Sequence, residues 1–201
     1  MTALIIAMGI FALVGSITPG PVNILAVRHG ADGKPSVAVA YVLGASLSYT
    51  LVVWLMGKTG ELLLNNQFFM QTMKWAGVSY LMYLAWCIAT APLNELQESA
   101  ALQQNSAVRA LINGSITQSL NPKAWMVALS GVGLFVLPQV DAQTALRLFC
   151  VVSLLACICG VGCWAMAGRI LTHWLSQPAR QKIFNQAMGV LLAGSVVNMV
   201  R

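Results

Sequence analysis

The sequence predicts an all-α membrane protein of six transmembrane helices, built as two inverted three-helix repeats whose first and fourth helices are broken by proline. Three observations lead there. Of 201 residues, 58% are hydrophobic and only 8% charged, against about 25% charged in an average soluble domain. Six apolar stretches are long enough to approach the roughly 20 helical residues that cross a hydrocarbon core. A short pattern near the start of the chain returns about half-way along it.

A chain of this size cannot hide so much apolar surface in one aqueous core, because much of any folded surface stays exposed. Lipid is the solvent that accepts it. The net charge of +6 does not indicate nucleic acid, since the bases lie scattered between apolar runs and form no stripe. They read as topological anchors.

The six runs are approximately Leu4–Val27, Ser36–Gly57, Phe68–Ala89, Leu111–Leu137, Ala145–Ala167 and Ile183–Val200. The first lacks a basic leading region and a small-residue cleavage site, and it contains Pro19-Gly20-Pro21. It is expected to be a retained span rather than a signal peptide. Loop lysines and arginines set the orientation. Arg28, Lys34, Arg109, Arg169, Arg180 and Lys182 fall on one side; Lys58, Arg147 and Arg201 fall on the other. The richer side is expected to be cytoplasmic, with both termini outward.

The one long polar segment, 92–108, contains Asn94, Glu95, Gln97, Glu98, Gln103, Gln104 and Asn105. It divides the chain into a first repeat over 1–91, a cytoplasmic linker, and a second repeat over 109–201. Gly15-Ser16-Ile17-Thr18 recurs as Gly114-Ser115-Ile116-Thr117, with Pro and Asn following in both places. Repeats of three spans enter the membrane from opposite faces, so they form an inverted pair.

Thr18-Pro19-Gly20-Pro21-Val22-Asn23 is the strongest local feature. Proline has no N–H to donate, so Pro19 frees the carbonyl of Gly15 and Pro21 that of Ile17. Gly20 weakens the helix further. In hydrocarbon the freed groups need partners, so such a break belongs against protein or a water-filled cavity. A single proline would suggest a plain kink; two around a glycine, flanked by Thr18 and Asn23, suggest a functional break. The second feature is Asn121-Pro122-Lys123, where Pro122 frees the carbonyl of Gln118. Lys123 falls near the middle of the fourth run, where a lysine costs roughly 2.5–3.5 kcal/mol on insertion scales. A partner, a cavity or a substrate must offset that. Lys74 lies nearer a helix end and reads as a snorkelling anchor.

All five acids, Asp32, Glu61, Glu95, Glu98 and Asp141, fall in loops or at helix ends. A proton relay on a buried carboxylate is therefore not available. His29 and His173 sit at loop positions and read as solvated. Four of five cysteines, Cys150, Cys157, Cys159 and Cys163, lie in the fifth run, without histidine or acid beside them. They read as small, soft interface residues rather than metal ligands. Ala40, Gly44 and Ser48 form a small-residue stripe that permits close helix contact, inside the protomer or between two protomers of a homodimer.

These motifs together resemble the LysE/RhtB family of bacterial amino-acid exporters, over nearly the whole chain. The family's Thr-Pro-Gly-Pro break is matched by Thr18–Pro21 with Asn23, and its Asn-Pro-Lys-Ala segment by Asn121–Ala124. The glycine-containing approach to the second helix is matched by Gly30, Gly33 and Gly44. The third-helix pattern is matched by Gly77, Tyr80, Leu81, Tyr83 and Leu84. Trp75–Gly77, Leu84–Trp86, Phe135–Gln139 and Cys163–Gly168 are most similar to the cysteine/O-acetylserine exporter branch. Many members carry Asp or Asn where this chain has Val22, so a coupling role for that polar residue does not carry over.

The resemblance implies a secondary transporter, not an enzyme, exporting a small neutral amino acid across the inner membrane without a cofactor. A proton is the candidate coupling ion. Homoserine, threonine or other amino acids are the alternative substrates. The expected substrate site comprises Thr18, Pro19, Gly20, Pro21, Asn23, Gln118, Asn121, Pro122 and Lys123. Lys123 would meet the carboxylate, while freed carbonyls of Gly15, Ile17 and Gln118, with Thr18 and Asn23, would meet the ammonium. The absence of a deep carboxylate favours a neutral side chain. A membrane thiol-disulfide carrier would need cysteines in the first and fourth helices, and both lack them.

Overall fold

The computed structural model describes residues 2–18, 20–31, 34–64, 106–175 and 177–200, with positions 68, 71–72, 75, 78–79, 82–83, 85–86 and 89–90 between them. Pro19, Lys74, Cys87, Gly77, Tyr80, Leu81, Leu84 and nearly all of the 92–108 segment lie outside the described residues. Within them the regular structure is helical: α1 (Thr2–Ile17), α2 (Pro21–Ala31), α3 (Pro35–Leu64), α4 (Ala107–Ser119), α5 (Pro122–Phe135), α6 (Ala142–Leu175) and α7 (Pro178–Val200). Most described positions between 68 and 89 are also helical.

Proline writes the helix starts. Pro21, Pro35, Pro122 and Pro178 each occupy the first position of a helix, where no amide is needed for the ladder and the fixed φ suits the first turn. Asn121 caps α5, its side chain accepting from the Lys123 amide at 3.2 Å. Asp141 plays the same part for α6, accepting from the Thr144 amide at 3.0 Å. Hydrogen bonds from the Thr144 side chain and amide hold the Asp141 carboxyl below its ordinary range, as suits an anion at a helix N-terminus.

Among the described residues two helices are long and apolar enough to cross a membrane, over Pro35–Thr59 and Ala142–Ile170, and the pair α1–α2, bent by 67°, makes a third if it is taken as one span. Their outer faces carry Ile6, Ile10, Leu47, Leu51, Trp54 and Leu155, all exposed. Facing water they would be an aggregation surface; facing lipid they are at rest. This is a membrane protein.

Without a hydrophobic force between helices in lipid, close contact rests on small residues. A Cβ on Gly44 of α3 would overlap the Leu111 carbonyl of α4, and one on Gly114 would overlap the Tyr41 carbonyl in return. Ser48 Oγ donates to the Ser115 carbonyl at 3.1 Å and lies 2.7 Å from Ser119 Oγ, while Ser115 Oγ donates to the Gly44 carbonyl at 3.1 Å. The Ala40–Gly44–Ser48 stripe is thus occupied within the protomer, at the α3–α4 contact. Gly30 and Gly168 do the same for α2 and α6, each against the other helix's backbone. Gly160 of α6 lies against Ser16 of α1, and Gly189 of α7 against Ala85 and Ala89.

These contacts fix directions. Gly44 meets Leu111 and Ser115, and Ser48, one turn on, meets Ser115 and Ser119; the two helices run parallel. Phe11 meets Phe149 with ring centroids 6.5 Å apart, and further along Ser16 meets Gly160; α1 and α6 also run parallel. α3 therefore packs on α4 and α5, and α6 on α1 and α2, the broken pair of the other half in each case, and α3 and α6 pack on each other.

Two sequence expectations need correction. His29 is not in a loop: α2 continues to Ala31, and the imidazole packs against Tyr41 at 4.5 Å between centroids, its Nδ1 buried without a hydrogen-bond partner. Nor do the cysteines of α6 share an interface. Cys157 is buried, but Cys159 and Cys163 are exposed on the outer face.

Candidate functional site

The first break begins where α1 loses its donors. Thr18 N closes the last turn on the Val14 carbonyl at 3.1 Å, and the Thr18 hydroxyl donates to that same oxygen. The ladder restarts at Gly20, whose carbonyl accepts from Ile24 N at 3.0 Å. Carbonyls between these points need other partners, and side chains supply them. Asn23 Nδ2 donates to the Ser16 carbonyl at 3.0 Å and the Thr18 carbonyl at 2.8 Å. Trp164 Nε1, from α6, donates to the Ile17 carbonyl at 2.9 Å. Lys123 Nζ, from the second break, reaches the Thr18 carbonyl at 2.7 Å.

The second break has the same logic. Leu120 N and Asn121 N close α4 on the Ile116 and Gln118 carbonyls at 2.9 and 3.2 Å. Trp125 Nε1 takes the Ser119 carbonyl at 2.7 Å. Asn121 Nδ2 donates to Gln118 Oε1 at 3.3 Å, and its carbonyl accepts Ala124 N at 2.9 Å. The expected ammonium ligands are therefore partly redistributed. The Ile17 and Gln118 carbonyls have donors inside the fold, and the oxygen offered across the gap is that of Thr18.

Between the breaks lies a small cleft that is partly open at its mouth. Of the residues expected from the sequence, Gly20, Asn23, Gln118, Asn121 and Lys123 line it. Thr18 contributes through its carbonyl. Pro21 is buried at the head of α2, and Pro122 heads α5; Pro19 is outside the described residues. The Lys123 stem lies over Gly20, where an added Cβ would be 3.7 Å from Cδ and 3.8 Å from Nζ. Besides Ser16 in the first break, two polar wall residues were not anticipated as site residues: Tyr49 of α3 and Cys157 of α6. Both come from unbroken spans, where neither periodicity nor a proline marks the position. Ser16, Val22, Ala124, Val127 and Val161 complete the wall with Gly15.

Among the described residues the wall carries a single charged residue, Lys123, and no acid. The N-termini of α2 and α5 both begin at the breaks, and each brings partial positive charge. Positive charge thus gathers at the lysine end, with the Thr18 carbonyl oxygen beside it. Broken helices facing one cavity are how membrane transporters hold small charged substrates.

A family model, LysE type translocator, matches residues 13–201. This chain belongs to the LysE type translocator family. It is a transport protein, not an enzyme. Among its relatives are cysteine/O-acetylserine efflux proteins. Those of Escherichia coli K12 and Shigella flexneri are 29% identical over 197 residues, covering 98% of this chain and 97% of theirs. That of Escherichia coli O139:H28 is 30% identical over 190 residues, covering 94% and 93%. No solved structure matches this translocator.

Proposed function

We propose that this translocator exports a small neutral amino acid or derivative of the cysteine/O-acetylserine kind across the bacterial inner membrane. The observation that carries the reading is the Lys123 ammonium resting on the Thr18 carbonyl in a chamber between two broken helices. A zwitterion carries the same two groups in one molecule. Its ammonium takes the Thr18 carbonyl, and the released Lys123 takes its carboxylate. Every polar group keeps a partner through the exchange. The uncharged remainder of the wall supports a neutral side chain.

The proposed architecture is six spans in two inverted repeats, 1–91 and 109–201, joined by a cytoplasmic linker at 92–108. Parallel packing of α3 on α4 and of α1 on α6 supports it. With spans alternating in direction, the second matches the fourth and the first matches the fifth. The proposed coupling ion is the proton.

The test is transport in proteoliposomes loaded with cysteine, O-acetylserine, serine, homoserine, threonine, lysine or arginine, with and without a pH gradient. Preference for small neutral substrates and loss of uphill transport on collapsing the gradient are expected. Preference for lysine or arginine would refute the substrate class, and gradient-independent uphill movement would refute the coupling ion.

A further inference from the structure

Glycines of α1–α6 meet neighbouring helices in two ways. In one, the missing Cβ lets a helix lie directly on another's backbone. Gly44 and Gly114 join α3 to α4 in this manner, Gly30 and Gly168 join α2 to α6, and Gly160 seats α6 on the Ser16–Ile17 backbone of α1. In the other, the glycine receives only side chains. Val127 of α5 stands at Gly15 of α1, Leu146 of α6 at Gly57 of α3, and the Phe149 and Phe11 rings at Gly131 of α5. Both sets sort the helices alike. The backbone contacts fall within α1–α2–α6 or within α3–α4–α5; the side-chain contacts run from one group to the other.

Hydrogen bonds follow the same division. Ser48, Ser115 and Ser119 tie α3 to α4, and Trp164 ties α6 to the end of α1. In hydrocarbon such bonds have no water to exchange with, and a helix seated on bare backbone has no side chain to turn aside. Between the groups lie rings and branched chains, which can repack by changing rotamer. Phe135 of α5 meets Phe11 of α1 and Phe149 of α6 at 5.4 and 6.0 Å between centroids. At the chamber, the Tyr41 hydroxyl of α3 donates to the Val22 carbonyl of α2 at 3.1 Å, and Lys123 of α5 donates to that of Thr18. The chamber wall is itself shared: Gly15, Asn23 and Cys157 come from one group, Tyr49, Gln118 and Lys123 from the other.

We infer that the units moving against each other in transport are two interleaved bodies, α1–α2–α6 and α3–α4–α5, rather than the two halves of the sequence, and that the chamber lies on the seam between them. Each body joins a broken pair from one half to an unbroken span from the other. Moving the halves as units would pull apart every glycine-on-backbone contact, the serine bonds and the Trp164 bond. Moving the interleaved bodies leaves all of these whole and repacks only the seam, where a small shift changes access to the chamber. The inference rests on translocation by this chain and on no particular substrate.

Staples inside a body and across the seam decide between the two motions. Ser48 Oγ and Ser119 Oγ lie 2.7 Å apart, so a disulfide in Ser48→Cys/Ser119→Cys ties the two halves of the sequence together inside one body. Phe11→Cys/Phe135→Cys, closed with a short bis-methanethiosulfonate linker, ties one body to the other. The readout is O-acetylserine transport by the full chain in proteoliposomes, each double variant compared with its own reduced form and with its two single variants, which control for the native cysteines. The first staple is expected to leave transport within about twofold, and the second to lower it at least about tenfold until dithiothreitol restores it. Loss of transport on closing the Ser48–Ser119 staple, or full transport with the seam closed, would overturn the inference. Should either double variant fail to fold, deuterium uptake in wild type decides. O-Acetylserine is expected to change uptake several-fold in peptides 8–15 and 127–135 and to leave 41–48 and 111–119 as they were; equal change in all four would overturn the inference. A wild type that moves no O-acetylserine would refute the substrate reading alone, and uptake without ligand would then decide: slower exchange in 41–48 and 111–119 than in 8–15 and 127–135 is expected, and the reverse order or no difference overturns the two bodies.

Discussion

Replacing Lys123 by alanine separates a binding role from a scaffolding one, and the structure sets the sizes. The ammonium donates to the Thr18 carbonyl at 2.7 Å. A hydrogen bond with a charged partner contributes about 1.5–3 kcal/mol net. Losing it does not orphan the oxygen, because Asn23 Nδ2 holds the same carbonyl at 2.8 Å. Removing the lysine also relieves the cost of placing a cation in the span, roughly 2.5–3.5 kcal/mol at full depth. The two effects oppose, so folded stability should move by about 1 kcal/mol or less, a Tm change of about 2–4 °C for a chain of this length. Transport has no such compensation. A substrate carboxylate deprived of its cation loses up to about 3 kcal/mol, close to 100-fold in affinity. Lys123→Arg should also be impaired, since a planar fork does not replace a compact ammonium in a confined site. Lys58→Ala is the control, because that exposed lysine donates to Gln143 Oε1 at 2.9 Å, away from the breaks, and should transport normally. The measurement is efflux per folded transporter, with thermal stability in detergent run in parallel. Full activity of Lys123→Ala would refute the reasoning, and a mutant that fails to accumulate would return the lysine to a scaffolding role.

Asn23→Leu and Asn23→Asp both remove the amide donor and leave the Ser16 carbonyl short of its partner, while Lys123 still covers Thr18; each should cost about 1–3 kcal/mol, and an unchanged melting temperature would contradict this. Gly114→Ala should fail to accumulate or melt well below wild type, because its Cβ would overlap the Tyr41 carbonyl, whereas Gly9→Ala and Gly133→Ala meet nothing within 4 Å and should be neutral or stabilising; equal melting of all three would undo the packing account. Reporter fusions at Arg201 and at Gln103 should read extracytoplasmic and cytoplasmic respectively, and a cytoplasmic C-terminus would remove the even number of spans.

The two breaks were legible because their chemistry is local. A proline withholds one amide, so the carbonyl four residues earlier is free wherever the chain goes, and Pro21 and Pro122 stand at helix starts as that rule requires. What answers the freed carbonyls was not, because Trp164 reaches Ile17 across 147 positions and Lys123 reaches Thr18 across 105. Tyr49 and Cys157 were missed because an apolar span with no break looks alike on every face. The Ala40–Gly44–Ser48 stripe announced a close contact but not its partner; that choice depends on Gly114 and Ser115, which offer a matching flat face. His29 was misplaced because a charged neighbour, Arg28, suggests a loop, while the helix runs on to Ala31.

The donors that hold the breaks differ in one respect that bears on mechanism. Asn23 serves the first break from within it, and Asn121 and Trp125 serve the second in the same way. Trp164 and Lys123 cross from the second half of the chain to the first. Any rearrangement that changes access to the chamber by moving one half against the other must strain these two. The indole is neutral, and an amino acid offers nothing that would replace it along the Ile17 carbonyl without leaving its N–H unpaired. The ammonium is different, because a zwitterion brings an ammonium for Thr18 and a carboxylate for Lys123 at once. Of the two side chains that cross to the first break, Lys123 is thus the one whose contact a substrate could open without orphaning either end. On the proposed reading, it holds the two breaks together in an empty transporter, and in a loaded one the substrate stands between them. A substrate analogue lacking either charged group would release only one end, and should bind without being carried.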